Sequence, residues 1–406
     1  MITVSEARQR ITNKLSIMPS EQVNLNNSLG RVLGEDLIAR RTQPPLSVSA
    51  MDGYAICSSD AVEAPLKLEV IGSVPAGTRF SETVRKGTAV RIFTGAPVPN
   101  GADAIIIQEN TELLDNYVLI KETVEAGQYI RKAGLDFNSG DILLKKGSIL
   151  NARHIGLAAA MNISWLKVRI QPRIAILATG NEIALPGDIL HETSIVSSNN
   201  YALEALVKAC GGLPLTLGIA KDNIESISMM ADSAIRAGSD IIVTTGGASV
   251  GDHDLVQKAL GQKGLKIDFW QIAMRPGKPL IFGYINSMPM LGFPGNPVSS
   301  MVCGELFLKS AIFKLLGLTN IEPLVQTAIL GRNLNQNDNR EDYLRATLEL
   351  SNTGKPVATP FPTQDSSMFS RLAQADCLIV RPPHAPPAKL GEVVNYISLG
   401  SGLIST

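Results

Sequence analysis

The chain has 406 residues, which is enough for roughly two to four domains. Hydrophobic residues make up 45% of it and charged residues 18%, so it can build buried cores and is too apolar for a disordered protein. Lysine plus arginine and aspartate plus glutamate both number 37, and a neutral chain without a basic excess is not expected to bind nucleic acid.

The cysteines and the start of the chain bear on the compartment. Cys57, Cys210, Cys303 and Cys377 are scattered without C-x-x-C spacing, which argues against a zinc site and a disulfide framework and favours a reducing compartment. The start, "MITVSEARQRITNK", lacks a basic region followed by an apolar one, so no signal peptide is expected. No stretch approaches the ~18 apolar residues of a membrane span. We therefore expect a soluble, cytoplasmic protein without a membrane partner.

The first predicted elements are a helix and a β-rich module. Thr3 and Glu6 have the spacing of a capping box, and Ala7 and Ile11 follow at helical intervals. From about residue 40 to 145, short apolar runs punctuated by Gly, Pro and Asn predict strands in "LKLEVIG", "AVRIFTG", "DAIIIQE" and "YVLIKET".

Residues 172–317 alternate between strand and helix patterns. "RIAILATG" is an unbroken apolar run, as expected for a strand of a parallel sheet that is covered on both faces. The last helix of this part has Asn296 as its N-cap and Pro297 at its first position. Between them we predict, in order, a helix in "SSNNYALEALVKACGG", a strand in "LPLTLGIAKD", a helix over 224–237, a strand in "DIIVTTGG", a helix from Asp254 and a strand in "MPMLGFPGNP". This alternation predicts a doubly wound α/β domain.

The final stretch, about 320–406, returns to strand-like runs in "YLRATLEL", "CLIVRPP" and "EVVNYISL". We predict a small β-barrel-like domain there. The expected fold class is therefore α/β plus β in a multidomain chain.

Three loops at predicted strand ends indicate a binding site, namely "ATGNEI" (178–183), "TTGGASVGD" (244–252) and "GFPGNPVSS" (292–300). In an open parallel sheet, ligands bind beyond the carboxyl ends of the strands. Glycines let backbone N–H groups approach an anion, and the following helix N-termini add partial positive charge. Any one of these loops could simply connect a strand to a helix, but three together favour a phosphate-like ligand. The chain has no P-loop and no convincing G-x-G-x-x-G, so an ordinary ATPase or dinucleotide enzyme is disfavoured.

Acidic residues lie on or near these loops. Glu182, Asp252 and Asp254 lie within or beside them, and Asp222 follows "LGIAK". Carboxylates repel a polyphosphate unless a cation intervenes, and Mg²⁺ is usually held by one or two carboxylates plus phosphate oxygens. The plainer alternative is that Asp252 caps a helix and Glu182 is solvated.

Other motifs are ambiguous when taken singly. In "MRPGKPL", Arg275 and Lys278 bracket a Pro-Gly turn that would fix the direction of their charges, and a plain surface turn explains the stretch equally well. "PLSVSAMDGYAI", "RIFTGAPVP" and "YIRKAGLDF" are each compatible with ordinary hairpin chemistry.

Seven segments taken together resemble one enzyme family. In order, "SAMDGYA", "RIFTGAPVP", "YIRKAGLD", "ATGNE", "TTGGASVGDHD", "MRPGKP" and "GFPGNPVS" are similar to molybdopterin molybdenumtransferase, the bacterial MoeA family, and to the E domains of plant Cnx and gephyrin. The similarity runs from near residue 1 to the C-terminus. It implies the Mg²⁺-dependent insertion of molybdate into adenylyl-molybdopterin with release of AMP. It also implies an elongated homodimer whose active site lies between the α/β domain and parts of the partner subunit.

The resemblance implies four domains. They are a molybdopterin-binding α/β domain (1–20 and 166–318), a connecting domain (21–39 and 141–165), a β-rich inserted module (40–140) and a C-terminal β-barrel-like domain (319–406).

Site residues are carried over by motif. Those of the β-rich module are Asp52, Thr94, Arg131 and Asp136, and the catalytic acids that would hold Mg²⁺ near the adenylyl phosphate are Glu182, Asp222 and Asp254. The predicted substrate-binding residues are Thr179, Gly180, Asn199, Gly246, Gly247, Ser249, Arg275, Lys278, Pro294, Gly295, Pro297, Ser299, Arg345 and Ser366. Of these, Ser249, Arg275, Lys278 and Ser299 would surround the oxyanion, and Arg345 and Ser366 would approach molybdate. Gly246 and Gly247 would bind the pterin phosphate through their backbone.

The chain departs from the family pattern at four positions. Asn181 stands where the family commonly has Asp, Ser197 replaces another common Asp, Gln271 replaces a frequent Lys, and Arg275 replaces a Lys. Two carboxylates are thereby lost near the expected metal site, and Arg275 keeps the positive charge without the geometry of an ammonium group.

Two other functions compete with the transferase. Molybdopterin adenylyltransferase shares the α/β domain, but such proteins are small and lack the β-rich module and its "SAMDGYA". A non-catalytic scaffold such as gephyrin carries a long linker and an adenylyltransferase domain upstream, whereas this sequence starts directly at the predicted helix. The adenylyltransferase itself is a possible partner of this chain.

Overall fold

The computed structural model describes residues 1–246 and 255–400. In this part of the chain the helices are α1 Val4–Asn13, α2 Ala152–Ala160, α3 Asn199–Ala209, α4 Ile224–Arg236, α5 Leu255–Gln262, α6 Pro297–Cys303, α7 Lys309–Leu315 and α8 Phe369–Ala373. The strands are β1 Ser20–Asn24, β2 Leu37–Ile38, β3 Val48–Ser49, β4 Gly53–Ile56, β5 Leu66–Val74, β6 Thr88–Ile92, β7 Ala104–Ile107, β8 Thr111–Leu114, β9 Tyr117–Ile120, β10 Ile130–Arg131, β11 Ile142–Leu144, β12 Trp165–Arg169, β13 Arg173–Thr179, β14 Ile183–Ala184, β15 Ile195–Val196, β16 Leu213–Ala220, β17 Ile241–Thr245, β18 Leu265–Phe269, β19 Met274–Arg275, β20 Ile281–Ile285, β21 Met288–Phe293, β22 Val325–Leu330, β23 Glu341–Leu350, β24 Pro356–Pro360, β25 Cys377–Arg381 and β26 Val393–Ser398. A π-helical turn, Gly304–Leu308, joins α6 to α7.

Two compact units make up the chain. Unit 1 comprises residues 1–35, 146–152 and 167–406, and unit 2 comprises residues 36–145 and 153–166. This division is coarser than the four domains that the resemblance implies, and their boundaries stay a prediction.

Unit 2 is built on a six-stranded sheet with the order β7-β4-β6-β5-β9-β8. The four strands predicted here from apolar runs are β5, β6, β7 and β9. The central strand β4 comes from "MDGYAI", and an added Cβ on Gly53 would lie 1.9 Å from the carbonyl oxygen of Ile106. Only glycine therefore lets β4 lie this close to β7, which fixes the position of the neighbouring Asp52.

The α/β part of unit 1 is a six-stranded sheet with the order β16-β13-β17-β21-β20-β18. The first four strands are parallel to their neighbours, as the sequence predicts. Strand β20 pairs antiparallel with both β21 and β18, which the sequence analysis did not predict. The reason is a tight hairpin between β20 and β21, where Asn286 has a φ of 56°, a value that asparagine tolerates better than most residues.

Helices cover both faces of this sheet. Ile174 and Ile176 of β13 pack in the core cluster that contains α1, α3 and α6, whereas Ala175 and Leu177 pack in the cluster that contains α4 and α5. Successive side chains of a strand point to opposite faces, so a strand covered twice must be apolar at every position. The doubly wound α/β fold is confirmed, and it explains the unbroken apolar run of β13.

Helix α1 begins where the capping pattern predicts. Thr3 is the N-cap, and its Oγ1 accepts a hydrogen bond from the N–H of Glu6 at 3.1 Å. The Glu6 carboxylate accepts from Arg10 one turn later, at 2.6 Å. The helix is thus capped by the threonine, and the glutamate contributes an exposed ion pair within the helix.

The predicted β-barrel-like domain is a closed five-stranded barrel. The strand order is β23-β24-β22-β26-β25, and a pairing between β23 and β25 closes it. Strand β19 pairs with β23 alongside, so that Arg275 lies opposite Asp342. Within the described ranges, no helix has the length and apolar character to cross a bilayer.

Candidate active site

The carboxyl ends of β13, β17 and β21 lie side by side. Ala178 pairs with Thr245 in the parallel ladder, and the loops that follow the strands then meet. An added Cβ on Gly246 would lie 2.8 Å from the carbonyl oxygen of Thr179, and one on Gly295 would lie 3.7 Å from the Cα of Gly246. The three loops predicted to converge do so.

A cavity of about 420 Å³ opens where these loops meet. This volume lies within the range of small-molecule sites. Its lining residues are Ala178, Thr179, Glu182, Ile183, Ile195, Val196, Ser197, Ser198, Asn199, Thr245, Gly246, Gly295, Asn296, Pro297 and Ser367. Asn199, the first residue of α3, is among them, so the positive end of this helix dipole borders the cavity. Helix α6 also begins at the cavity, but Pro297 has no N–H and the N–H of Val298 donates to the carbonyl oxygen of Ser366.

Gly246 is required by the backbone at this position. Its φ is 87°, in the left-handed region, and a side chain would clash with the backbone oxygen of Thr179. The predicted site residues Gly247, Ser249 and Asp254 lie outside the described residues, and so does Asp252.

One wall of the cavity was not predicted. The short strands β14 and β15 pair in parallel, and Ile195 and Ser197 donate backbone hydrogen bonds to Glu182 and Ala184, each at 2.8 Å. Strands of two residues carry no periodic signal, which is why the sequence did not reveal them. They bring Ile195, Val196 and the buried Ser197 to the cavity.

The amide of Asn199 joins the start of α3 to the loop after β21. Its Nδ2 donates to the carbonyl oxygen of Gly295 at 2.8 Å. Pro297 lines the cavity beside Gly295, whereas the predicted Pro294 and Ser299 are buried and are not among the described lining residues.

The predicted acids occupy different surroundings. Glu182 lines the cavity, and its carboxylate folds back so that both oxygens lie 2.9 Å from where a Cβ on Gly180 would be. Asp222 Oδ2 accepts from the N–H of Asn181, and the N–H of Asp222 donates to Asn181 Oδ1, both at 3.1 Å. Asn181, one of the departures, thereby links the loops after β13 and β16. Among residues 1–246 and 255–400, no group of three or more His, Cys, Asp or Glu side chains is arranged to hold a metal ion.

Arg275 lies in an ion-pair cluster at the edge of the barrel. Its Nη2 donates to Asp342 and to Asn337 Oδ1, and its Nη1 donates to Asp338 Oδ2 at 3.2 Å. The hydrogen bond to Asp342 raises the pKa of Arg275. Lys278 is exposed and makes no ion pair with any residue that the structure describes. Of the two predicted cations, Lys278 is therefore the one whose charge is available to bind an anion.

Arg345 and the turn that contains Ser366 form one connected structure. Arg345 is 1% exposed, burial lowers its pKa, and its Nη1 donates to the carbonyl oxygen of Asp365 at 3.0 Å. Ser366 Oγ accepts from Nδ2 of Asn296 at 2.8 Å. The barrel thus reaches the loop after β21, and Ser367, which the sequence analysis missed, lines the cavity.

In unit 2, Asp52 and Thr94 form a close pair. Asp52 Oδ1 accepts from both the N–H and the Oγ1 of Thr94, each at 2.7 Å. The backbone hydrogen bond is the largest cause that lowers the pKa of Asp52. Arg91, which the sequence analysis did not single out, lies near the pair, with its guanidinium carbon 5.2 and 5.0 Å from the ring centroids of Tyr54 and Phe93.

Arg131 and Asp136 are also in unit 2. Arg131 is exposed at the end of β10, opposite Val48, and the backbone N–H of Asp136 donates to Gln43 at 3.0 Å. Among the described residues, neither side chain bonds to the pair of Asp52 and Thr94. The roles of all these predicted site residues stay predictions.

Comparisons with known proteins agree across the chain. Residues 2–162 match the model of the MoeA N-terminal region (domains I and II), residues 175–314 match the probable molybdopterin-binding domain, and residues 327–399 match the MoeA C-terminal region (domain IV).

Curated relatives and a solved structure extend over the same length. The molybdopterin molybdenumtransferase of Nostoc sp. is 35% identical, over 100% of this chain and 93% of its own. That of Haemophilus influenzae is 32% identical, over 97% and 98%. The crystal structure of a molybdopterin biosynthesis MoeA protein from Pyrococcus horikoshii has a TM-score of 0.85 at 30% identity, covering 98% of this chain and 99% of that one. The chain therefore belongs to the molybdopterin molybdenumtransferase (MoeA) family and is an enzyme of molybdenum cofactor biosynthesis.

Proposed function

We propose that the enzyme inserts molybdate into adenylyl-molybdopterin, with release of AMP and formation of Mo-molybdopterin, in a Mg²⁺-dependent reaction. The observation that carries the proposal is the cavity at the carboxyl ends of β13, β17 and β21. Loop glycines and the start of α3 border it, and these are the groups that bind phosphate oxygens in α/β proteins. A ligand with a phosphoanhydride fits that chemistry.

Different predicted site residues would bind different parts of the substrates. Thr179, Gly246 and the start of α3 would bind phosphate oxygens, and the amide of Asn199 would keep the start of α3 at a fixed distance from the loop after β21. Lys278, which makes no ion pair with the residues that the structure describes, would attract the molybdate dianion. Asp52 would contribute a carboxylate that stays ionised because Thr94 hydrogen-bonds to it.

Glu182 and Asp222 would serve a magnesium ion that is held mostly by substrate and water. Mg²⁺ is usually bound through one or two carboxylates, several waters and substrate phosphates. Glu182 lines the cavity, and Asp222 Oδ2 accepts from the N–H of Asn181, while its Oδ1 has no hydrogen bond to a residue that the structure describes. When bound, the ion would neutralise the charge on the phosphoanhydride. The residues that would hold it are Glu182 and Asp222, with Asp254 as the third predicted acid.

We further propose that the enzyme acts as a cytoplasmic homodimer. In this dimer the β-rich module of the partner subunit would contribute to the active site. A molybdopterin adenylyltransferase would supply its adenylylated substrate. These proposals rest on the family resemblance.

Two incubations separate the candidate functions. Purified protein is mixed with adenylyl-molybdopterin, molybdate and Mg²⁺, and AMP is quantified with time. A molybdotransferase releases AMP only when molybdate is present. A second mixture holds molybdopterin, ATP and Mg²⁺. An adenylyltransferase consumes ATP in this second mixture, and a non-catalytic scaffold turns over nothing in either mixture.

A further inference from the structure

One turn of the C-terminal barrel forms part of the cavity wall. Ser367 of this turn lines the cavity. Its neighbour Ser366 binds the start of α6 twice, because its Oγ accepts from Asn296 Nδ2 at 2.8 Å and its carbonyl oxygen accepts from the N–H of Val298 at 3.2 Å. The placement of the turn therefore determines how the barrel meets the loop after β21.

Arg345 and Asp365 hold this turn in shape. Asp365 Oδ1 accepts from the N–H of Ser367 at 2.8 Å and from its hydroxyl at 2.6 Å. The carbonyl oxygen of Asp365 accepts from Arg345 Nη1 at 3.0 Å. Because Arg345 is buried in β23, it ties the turn to the wall of the barrel.

Gln364 in turn fixes Arg345. Its Oε1 accepts from the backbone N–H and from Nε of Arg345, at 3.0 and 3.1 Å. Its Nε2 donates to the carbonyl oxygens of Arg345 and Phe361, both at 3.0 Å. A primary amide offers two acceptor positions and two N–H donors, so this side chain uses its full capacity.

Only an amide satisfies all four partners. Two of them are N–H groups and two are carbonyl oxygens that can only accept. A carboxylate of the same shape would keep the first pair and place a charged oxygen against the second. The Nη2 of Arg345 is already buried without a hydrogen-bond partner among the described residues. A displacement that also broke the hydrogen bond of Nε or Nη1 would leave a second buried donor unpaired, which is costly.

We infer that Gln364 is a positioning residue for the site: it fixes Arg345, and through Arg345 it sets the turn 365–367 against α6 and the cavity. The structural part stands on the hydrogen bonds alone. Its consequence for molybdate insertion rests on the proposed function.

The first experiment tests the structural part with the near-isosteric change Gln364→Glu in the full-length protein. Gln374→Glu is the matched control, because Gln374 is an exposed glutamine that also accepts from an arginine, Arg371, at 3.2 Å. Hydrogen exchange of the Val298 amide is measured by mass spectrometry or NMR. We expect exchange about tenfold faster in Gln364→Glu, equivalent to ~1.4 kcal/mol, and unchanged exchange in the control. Equal protection in the parent and in Gln364→Glu overturns the inference. If Gln364→Glu does not fold, the exchange of the Val298 amide is measured in Gln364→Met instead.

The second experiment tests the consequence for the reaction. We expect Gln364→Glu to raise the half-saturating molybdate concentration about tenfold, while the KM for adenylyl-molybdopterin stays within about twofold. In an Arg345→Met background the same change should add nothing, because its effect passes through Arg345. If Gln364→Glu still raises the half-saturating molybdate concentration about tenfold in the Arg345→Met background, the effect of Gln364 does not pass through Arg345. If the parent itself releases no AMP, the proposed function fails and the exchange measurement alone decides the inference.

Discussion

Replacing Arg275 with alanine should destabilise unit 1, and replacing Lys278 should not. Both residues flank the Pro-Gly turn, but among the residues that the structure describes only Arg275 is bound to carboxylates. The structure thus separates two cations that the sequence pattern treats alike. Arg275→Ala and Lys278→Ala form a matched pair of variants only three positions apart.

The size of the effect follows from the partners of Arg275. Breaking a fully buried ion pair costs ~3–5 kcal/mol, because the remaining charge is left uncompensated, and a hydrogen bond to a charged group contributes ~1.5–3 kcal/mol. The Asp342 side chain is 8% exposed, but that of Arg275 is 44% exposed, so solvent screens the pair. We therefore expect a loss of ~2 kcal/mol, to which the more exposed Asp338 adds little.

Urea unfolding followed by circular dichroism measures this loss. For a unit of this size the urea m-value should be at or above ~3 kcal/mol/M, so the midpoint should fall by about 0.5–0.7 M. Lys278→Ala should stay within ~0.5 kcal/mol of the parent. It should instead raise the half-saturating molybdate concentration by about ten- to a hundredfold, with molybdopterin binding nearly intact.

Two results would contradict this reasoning. An unchanged midpoint in Arg275→Ala would mean that its ion pairs do not stabilise unit 1. An unchanged midpoint together with a molybdate requirement as high as in Lys278→Ala would mean that the Arg275 guanidinium binds the oxyanion. Equal losses of molybdate and pterin affinity in Lys278→Ala would place Lys278 on the pterin phosphate.

Four further predictions concern other parts of the chain. Asp52→Asn keeps the Oδ1 acceptor, so it should preserve the melting temperature within about 2 °C and abolish AMP release; normal activity would make Asp52 a turn residue only. Gly246→Ala places a Cβ against a backbone oxygen at a φ of 87°, so calorimetry should show lost pterin binding with and without Mg²⁺. Asp254→Ala should still bind ligand but release no AMP, and release at the normal rate would exclude its metal role. Burial raises the pKa values of the Cys210 and Cys377 thiols to about 12, so at pH 8 a thiol reagent should modify the partly exposed Cys57 first and the buried thiols only after unfolding.

Local patterns in the sequence were sufficient for much of the fold and for the place of the site. Thr3 caps α1, Pro297 starts α6, and the apolar run of β13 is buried on both faces. These features depend on residues that are close in the chain, where spacing and residue type decide the structure. The three glycine-containing loops could also be located, because the carboxyl ends of parallel strands necessarily share one edge.

Contacts between distant residues were decided only by the tertiary structure. Arg275 meets Asp342, Arg345 is enclosed by Gln364, and Asn181 pairs with Asp222, and none of these partners is marked by a local pattern. The closure of the barrel by β23 and β25 and the antiparallel strands β18 and β20 also follow from long-range pairing. A side chain's partners depend on which elements pack together, and the same arginine binds an anion when it is free and a carboxylate when packing brings one close. That physical difference is why the sequence alone could identify the candidate cations and only the folded chain could show which of them is available.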